Sequence, residues 1–282
     1  MILISGRPFQ QSNIESTNST EKMIIQSMSE APEVYSYEYV SEFNFEVQLR
    51  KNIIDSAGVM HQSEVQFATF NTTRSNPEYW IVTQPGGLML RQGVKPSEGI
   101  EDIFKNSAQY GFECAGAMLI ILYHAVLKAI GEYAFNRLFP DLYIYSWHAD
   151  PDLGIYPTYT DNFILGDIVY FRNPDVDPQI AHWRGENAVV LENGLYFGHG
   201  IGVLTAQQMI EALNRTRKPG ATQSAYLTNL IVRPSFKHLE KFSNLQRGYS
   251  VRKYQSIVIQ HNESSIPFDR YKFLLFSIYN RL

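Results

Sequence analysis

The chain has 282 residues, 44% of them apolar and 18% charged, which supports a large packed core and excludes a disordered chain. Basic residues number 24 against 28 acidic ones, a formal net charge of −4, so nothing in bulk draws the chain to nucleic acid or to an anionic membrane. One cysteine rules out an intramolecular disulfide and any multi-cysteine zinc or iron–sulfur site.

The opening Met1-Ile-Leu-Ile-Ser-Gly-Arg7 has no basic n-region and too short an apolar run for a signal peptide, which predicts a cytoplasmic protein kept in a reducing compartment. Residues 10–22 are polar and read as a loop leading into a short helix. From Val40 to about Gln62, Phe43, Val47, Ile54 and Ala57 recur at helical spacing, with Ile53 broadening the stripe. Tyr79–Thr83, closed by Pro85-Gly86-Gly87, predicts a strand and turn. Ser97 is the expected N-cap of a short helix whose first turns carry Glu98, Glu101 and Asp102. Cys114 to Ile130 predicts a long, mostly buried helix stopped by Gly131. Tyr123, His124 and Lys128 make that stretch too polar to span a bilayer. Strands follow at Leu142–Trp147, Asp167–Phe171 and Asn187–Leu191, with an Asn193-Gly194 hairpin turn into Leu195–Phe197. Ala206–Leu213 reads as a closing helix. Helix followed by hairpin-connected strands predicts an α+β fold, with no linker dividing it.

Cys114 is the first candidate for chemistry. A thiol at a helix start feels the positive end of the macrodipole, which lowers its pKa; a buried structural cysteine is the plainer alternative. The small residues after it, Ala115-Gly116-Ala117, leave room for another backbone. A cysteine nucleophile needs a base and an orienting group, and papain-like enzymes place a histidine at the front of the following strand. Here that position reads Trp183-Arg-Gly-Glu186-Asn187, and His199 falls at the third place. Glu186 therefore stands where the base belongs. With ordinary pKa values, moving the thiol proton to a glutamate costs about 5.7 kcal/mol, so burial must raise the carboxyl. Glu113, beside the thiol, is a second carboxylate that would push Glu186 up; its alternative is a solvent-facing charge near a helix start. The remaining histidines lack metal-ligand spacing. Asp175 and Asp177 read as a surface turn, Gly198–Gly202 lacks the phosphate-loop spacing, and Arg215, Arg217 and Lys218 read as a solvated helix end.

Phe112-Glu-Cys-Ala115, Gln179 to Asn187, Tyr196-Phe-Gly-His-Gly-Ile-Gly202 and Gly220 to Leu227 resemble the bacillar spore-coat transglutaminases. Phe67-Ala-Thr-Phe70, Leu165 to Pro174 and the opening Met1–Gly6 extend the resemblance in order to about residue 235. It implies a papain-like α+β core, a helix with an N-terminal cysteine packed on an antiparallel sheet with surrounding helices. It further implies calcium-independent protein-glutamine γ-glutamyltransferase activity: isopeptide cross-links made through a Cys114 thioester with release of ammonia. The family's catalytic pair maps to Cys114 and Glu186, with Glu113 as an alternative partner, and Phe67, Trp147 and Trp183 map to its aromatic substrate passage. Implied partners are glutamine- and lysine-bearing spore-coat proteins, acted on by a monomer that needs no cofactor, metal, nucleic acid or membrane. Residues 1–236 are then a single transglutaminase domain, and 237–282 a C-terminal extension of unassigned role. Two alternatives stand beside this reading. A papain-like cell-wall peptidase or amidase shares the layout but lacks the base histidine. A non-enzymatic coat protein would use the aromatic residues for adhesion and has no need of Glu113 and Glu186.

Overall fold

The apolar helix opening at Cys114 organises the molecule, because every residue from Cys114 to Leu127 is buried and that stretch must be covered on every side. The computed structural model describes residues 1–9, 19–243 and 257–280. Strand β1 (Ile2–Ile4) pairs with β2 (Arg7–Pro8) and, across helix α1 (Ser19–Glu30), with β3 (Tyr35–Tyr37). Of the loop expected over 10–22, residues 10–18 lie outside the described residues, and 19–22 are not loop but the first turn of the short helix α1. Helix α2 occupies Val40–Gln62 as predicted, and after it comes β4 (Gln66–Phe67). The hairpin β5 (Trp80–Val82) and β6 (Leu88–Leu90) turns at Gly86, φ +89°, where an added Cβ would collide with the Phe70 carbonyl.

Helix α3 (Pro96–Lys105) starts two residues earlier than the Ser97 cap predicts: Lys95 is the N-cap and Pro96 the first helical residue. Ser97 is instead buried in the first turn, its N–H donating to Asn136 Oδ1 at 2.8 Å. Strand β7 (Gly111–Phe112) pairs with β4 and leads into α4 (Cys114–Leu138). At Gly131 the backbone leaves helical geometry, with φ +80° and ψ 162°, so the helix begun at Cys114 breaks there as predicted and a second helical stretch continues to Leu138. By length α4 could cross a bilayer, but 83% of its most apolar window is buried in the protein, which makes it a core helix. Beyond it, β8 is confined to Tyr143–Ile144, shorter than the predicted strand, because Ser146 (φ +49°) turns the chain back.

The main sheet is antiparallel throughout. Its strands are β9 (Tyr156–Tyr159), β10 (Ile168–Arg172), β11 (Gly185–Val190), β12 (Leu195–Gly198), β13 (Gly202–Thr205) and β14 (Tyr226–Arg233), in the order β13-β12-β11-β10-β14-β9. Asn193 and Gly194, both at positive φ, make the β11–β12 turn. One face (Ile168, Val189, Phe197, Val232) joins the α4 core. The other (Val169, Phe171, Ala188, Ile231) packs on Met209 and Leu213 of helix α5 (Ala206–Asn214). With both faces covered, every residue of β11 is buried. Short helix α6 (Phe236–Glu240) packs into the α4 core through Phe236 and Leu239, and α7 (Phe268–Tyr279) ends the described chain.

A buried ion cluster ties these layers together. Asp167 accepts from Arg50 of α2 at 2.8 Å and from Arg233 of β14 at 2.6 and 2.7 Å, and Arg50 also reaches Glu46 at 2.9 Å. The two guanidinium groups hold the Asp167 carboxyl below the ordinary range against the opposing pull of burial.

Candidate active site

Glu113 is the N-cap of α4, in extended backbone, with its carboxylate accepting from the N–H of Ala115 at 2.8 Å and of Gly116 at 2.5 Å. Sequence dictates this closeness: a Cβ at Gly116 would lie 3.3 Å from Glu113 Oε1. The cap fixes where α4 begins, and so sets Cys114 as its first residue. Glu113 is therefore buried, not the solvent-facing charge that its position allowed.

Asn187 Nδ2 donates to Cys114 Sγ at 3.1 Å, and the thiol donates to Ser265 Oγ at 3.1 Å. Alternation along β11 turns Asn187 to α4 and Glu186 to the Gly198–Gly200 turn. There Glu186 Oε1 accepts the Gly200 N–H at 3.0 Å. A Cβ at Gly198 would stand 2.7 Å from Glu186 Cγ, so this corner is shaped around that side chain.

Thiol and both carboxyls are almost wholly excluded from water: Cys114 is 0%, Glu186 1% and Glu113 2% exposed. Burial pushes Glu186 up to about 8; the Gly200 and His199 N–H groups oppose that rise and the Glu113 charge adds to it. Burial likewise pushes the thiol well above its ordinary value, and the charges of Glu186 and then Glu113 push it further. The thiol therefore stands above its ordinary value and not below it as its place at a helix start predicts, with desolvation of the thiolate the largest cause. Burial also raises Glu113, against the hydrogen bonds that hold its charged form.

The aromatic candidates divide between two sides. Phe67 stacks on Trp183 with ring centres 5.5 Å apart, and the Trp183 ring lies against Gly200 beside Glu186. Trp147 lies elsewhere, buried, with Nε1 donating to the Ile266 carbonyl at 2.8 Å. The His199 ring is not brought to the thiol: its Nε2 bonds Gln66 O at 3.2 Å and its ring stacks on Phe112. Burial lowers His199 to about 4, so it is neutral at pH 7. Its main-chain N–H is what serves Glu186. Among the described residues, no group of three or more His, Cys, Asp or Glu is placed to hold a metal ion.

Sequence reasoning missed Asn187, Tyr170 and Ser265. Asn187 directly follows Glu186 in a strand, which was a usable signal. Tyr170 is paired with Asn187 across the β10–β11 ladder, and its hydroxyl donates to the Ser265 carbonyl at 3.0 Å. Ser265 is 151 residues from Cys114, and no local pattern marks it.

A lone cysteine at the start of a core helix, packed on an antiparallel sheet with surrounding helices, defines the papain-like class of cysteine enzymes. The protein-glutamine gamma-glutamyltransferase family profile matches residues 1–243. A protein of that name from Halalkalibacterium halodurans is 44% identical over 278 residues, covering 99% of this chain and 98% of the relative. Its counterpart in Bacillus subtilis is 42% identical over 235 residues, 83% of this chain and 96% of the relative. A solved structure described as the transglutaminase from Geobacillus stearothermophilus, without its C-terminal extension, superimposes with a TM-score of 0.71. It is 46% identical and covers 73% of this chain and 99% of its own. The chain belongs to the protein-glutamine γ-glutamyltransferase family, acyltransferases that act on protein glutamine and lysine side chains.

Proposed function

We propose that this enzyme cross-links spore-coat proteins through a Cys114 thioester, without calcium, after synthesis in the cytoplasm. The observation that carries the mechanism is a water-excluded thiol flanked by two buried carboxyls, one of them pushed up to about 8. A carboxyl in that range exchanges protons near neutral pH, as a general acid and base must. Glu186 takes the proton of the Cys114 thiol, and the thiolate attacks the γ-carboxamide carbon of a protein glutamine. Proton transfer also removes the negative charge on Glu186 that opposes thiolate formation. The tetrahedral adduct collapses to a thioester, and ammonia leaves with the proton that Glu186 returns. A neutral lysine amine then attacks the thioester carbon and loses a proton to Glu186. The thiolate leaves and is reprotonated, so the products are an isopeptide and the free thiol.

Glu113 acts here mainly as the cap that positions the thiol, and His199 as a positioning residue for Glu186 through its N–H. Phe67 and Trp183 wall the Glu186 side, where a dry approach favours amine over water. The spore-coat setting is supported by relatives from Bacillus species and by the motif resemblance. Purified protein, given a glutamine-bearing protein and a fluorescent primary amine in the presence of a calcium chelator, should incorporate the amine. Loss of incorporation on chelation would remove calcium independence, and full incorporation by Cys114→Ala would remove the thioester. A strain carrying Cys114→Ala should yield more extractable coat protein; unchanged extraction would reject the coat role.

A further inference from the structure

Residues 264–267 cross the site, with Ser265 directly on the thiol. Ser265 is 1% exposed, and its hydroxyl accepts from Cys114 and donates to the Gly185 carbonyl. Its own carbonyl is held by Tyr170. The next carbonyl, of Ile266, receives the Trp147 N–H at 2.8 Å and Asn187 Nδ2 at 3.5 Å. Ser265 has φ +55°, a left-handed conformation that a serine keeps only where its surroundings impose it. Ile266 is wholly buried, and Phe268 meets the Trp147 ring edge-on at 5.4 Å. At the rim, Glu263 pairs with Arg184 at 3.1 Å and Arg270 at 2.8 Å. Beside the segment opens a cleft of about 710 Å³ lined by Phe70, Gln179, His182, His261 and Ser264.

A glutamine side chain must bring its amide carbon to Sγ within near-attack distance, about 3–3.5 Å. The space it needs is filled by Ser265 and Ile266. If the segment simply withdrew, Trp147 Nε1 would lose its acceptor and Tyr170 OH would keep only the Arg184 carbonyl at 3.4 Å, and unmet buried donors are costly. An incoming chain that offers carbonyls in the same places restores them.

We propose that residues 264–267 are an internal strap occupying the acyl-donor groove, and that a glutamine-bearing peptide segment reaches Cys114 only by taking the strap's place. This rests on Cys114 being the nucleophile of the proposed transfer. The strap makes the resting enzyme self-inhibited, and the cleft beside it is the continuation of the groove for the substrate chain.

Cys114 is the only cysteine, so iodoacetamide labelling of the full-length protein reports this site alone. Two variants loosen the strap: Ile266→Asp, which puts a charge where burial is complete, and Glu263→Lys, which reverses the rim pairs and leaves the core untouched. With the unstrapped form a minor state of about 0.1–10%, both should label at least about tenfold faster than wild type. Melting curves establish that they remain folded. A synthetic peptide of residues 262–268, Asn-Glu-Ser-Ser-Ile-Pro-Phe, should slow labelling of Glu263→Lys again. Amine incorporation should rise in parallel in both variants. Folded variants that label at the wild-type rate overturn the strap, whatever their transfer activity. Faster labelling with no transfer in any of the proteins upholds the strap and overturns the cross-linking reading instead.

Discussion

Replacing Glu186 by glutamine tests the proton path most directly. The substitution keeps the volume and an acceptor for the Gly200 N–H but cannot exchange a proton. Moving this carboxyl from its ordinary 4.5 to about 8 amounts to about 5 kcal/mol in favour of its neutral form, at about 1.4 kcal/mol per decade. Because the same burial also raises the thiol, this shift sets the pH at which Glu186 can take a proton and does not by itself close the gap to the thiol. Removing a general acid–base partner typically lowers the rate by ~10²–10⁴, or about 3–5 kcal/mol in the barrier, and transfer by Glu186→Gln should fall within that range. The assay follows amine incorporation and iodoacetamide alkylation across about pH 6 to 10. Wild-type transfer should rise as pH increases through about 8, because loss of one proton from the thiol–carboxyl pair leaves Glu186 as the carboxylate that can accept the thiol proton. Such values belong to the pair and not to either residue. In Glu186→Gln the alkylation profile should reduce to one step and move to lower pH, since the charge that raises the thiol is gone. Transfer by Glu186→Gln above about a tenth of wild type, with the wild-type pH profile, refutes the assignment. An inactive Glu113→Gln beside an active Glu186→Gln would exchange the two roles.

Glu113→Gln keeps one of the two oxygens that accept α4 amides, so a calorimetric scan should show a loss of about 1 kcal/mol, with transfer reduced less than about tenfold. Gly198→Ala places a methyl 2.7 Å from Glu186 Cγ and 3.0 Å from Oε1. A displaced carboxyl should lower kcat by about 10² beside the Tm loss that overpacking a buried site brings, and a wild-type kcat would show that the position of Glu186 does not matter. Asp167→Asn leaves Arg50 and Arg233 buried without their carboxylate, and should cost about 3–5 kcal/mol in urea unfolding. Because the folded pKa of Asp167 is depressed, its stabilisation is full above the unfolded value of about 3.9 and is lost as pH falls through the lower folded value. The variant should lose that part of the acid sensitivity, and an unchanged acid midpoint would contradict it.

The periodic elements were legible because their patterns are local. The α2 stripe, the Asn193-Gly194 hairpin and the apolar run after Cys114 each need only a few turns or residues to declare themselves. The candidate carboxylates were legible too, since Glu113 adjoins the thiol in sequence and Glu186 stands at the front of a recognisable strand. What a stretch of chain does when covered on both sides was not legible. Strand β11 shows no apolar–polar alternation, so nothing local said that Asn187 rather than Glu186 would touch the sulfur. Gly131 reads as a stop and does break the helical backbone, but nothing local said that a second helical stretch would follow it and pack Ala134, Phe135 and Leu138 into the core. The thiol pKa was misjudged for the same reason: the helix end is a local feature, while desolvation depends on every neighbour that excludes water. Ser265 on Cys114 is the furthest case, a contact made across 151 residues by a segment with no motif of its own. Sequence by itself determined the thiol, the carboxylates and the helix and hairpin that carry them. Only tertiary structure decided which groups meet and how dry the site is, because those depend on surfaces brought together from distant parts of the chain.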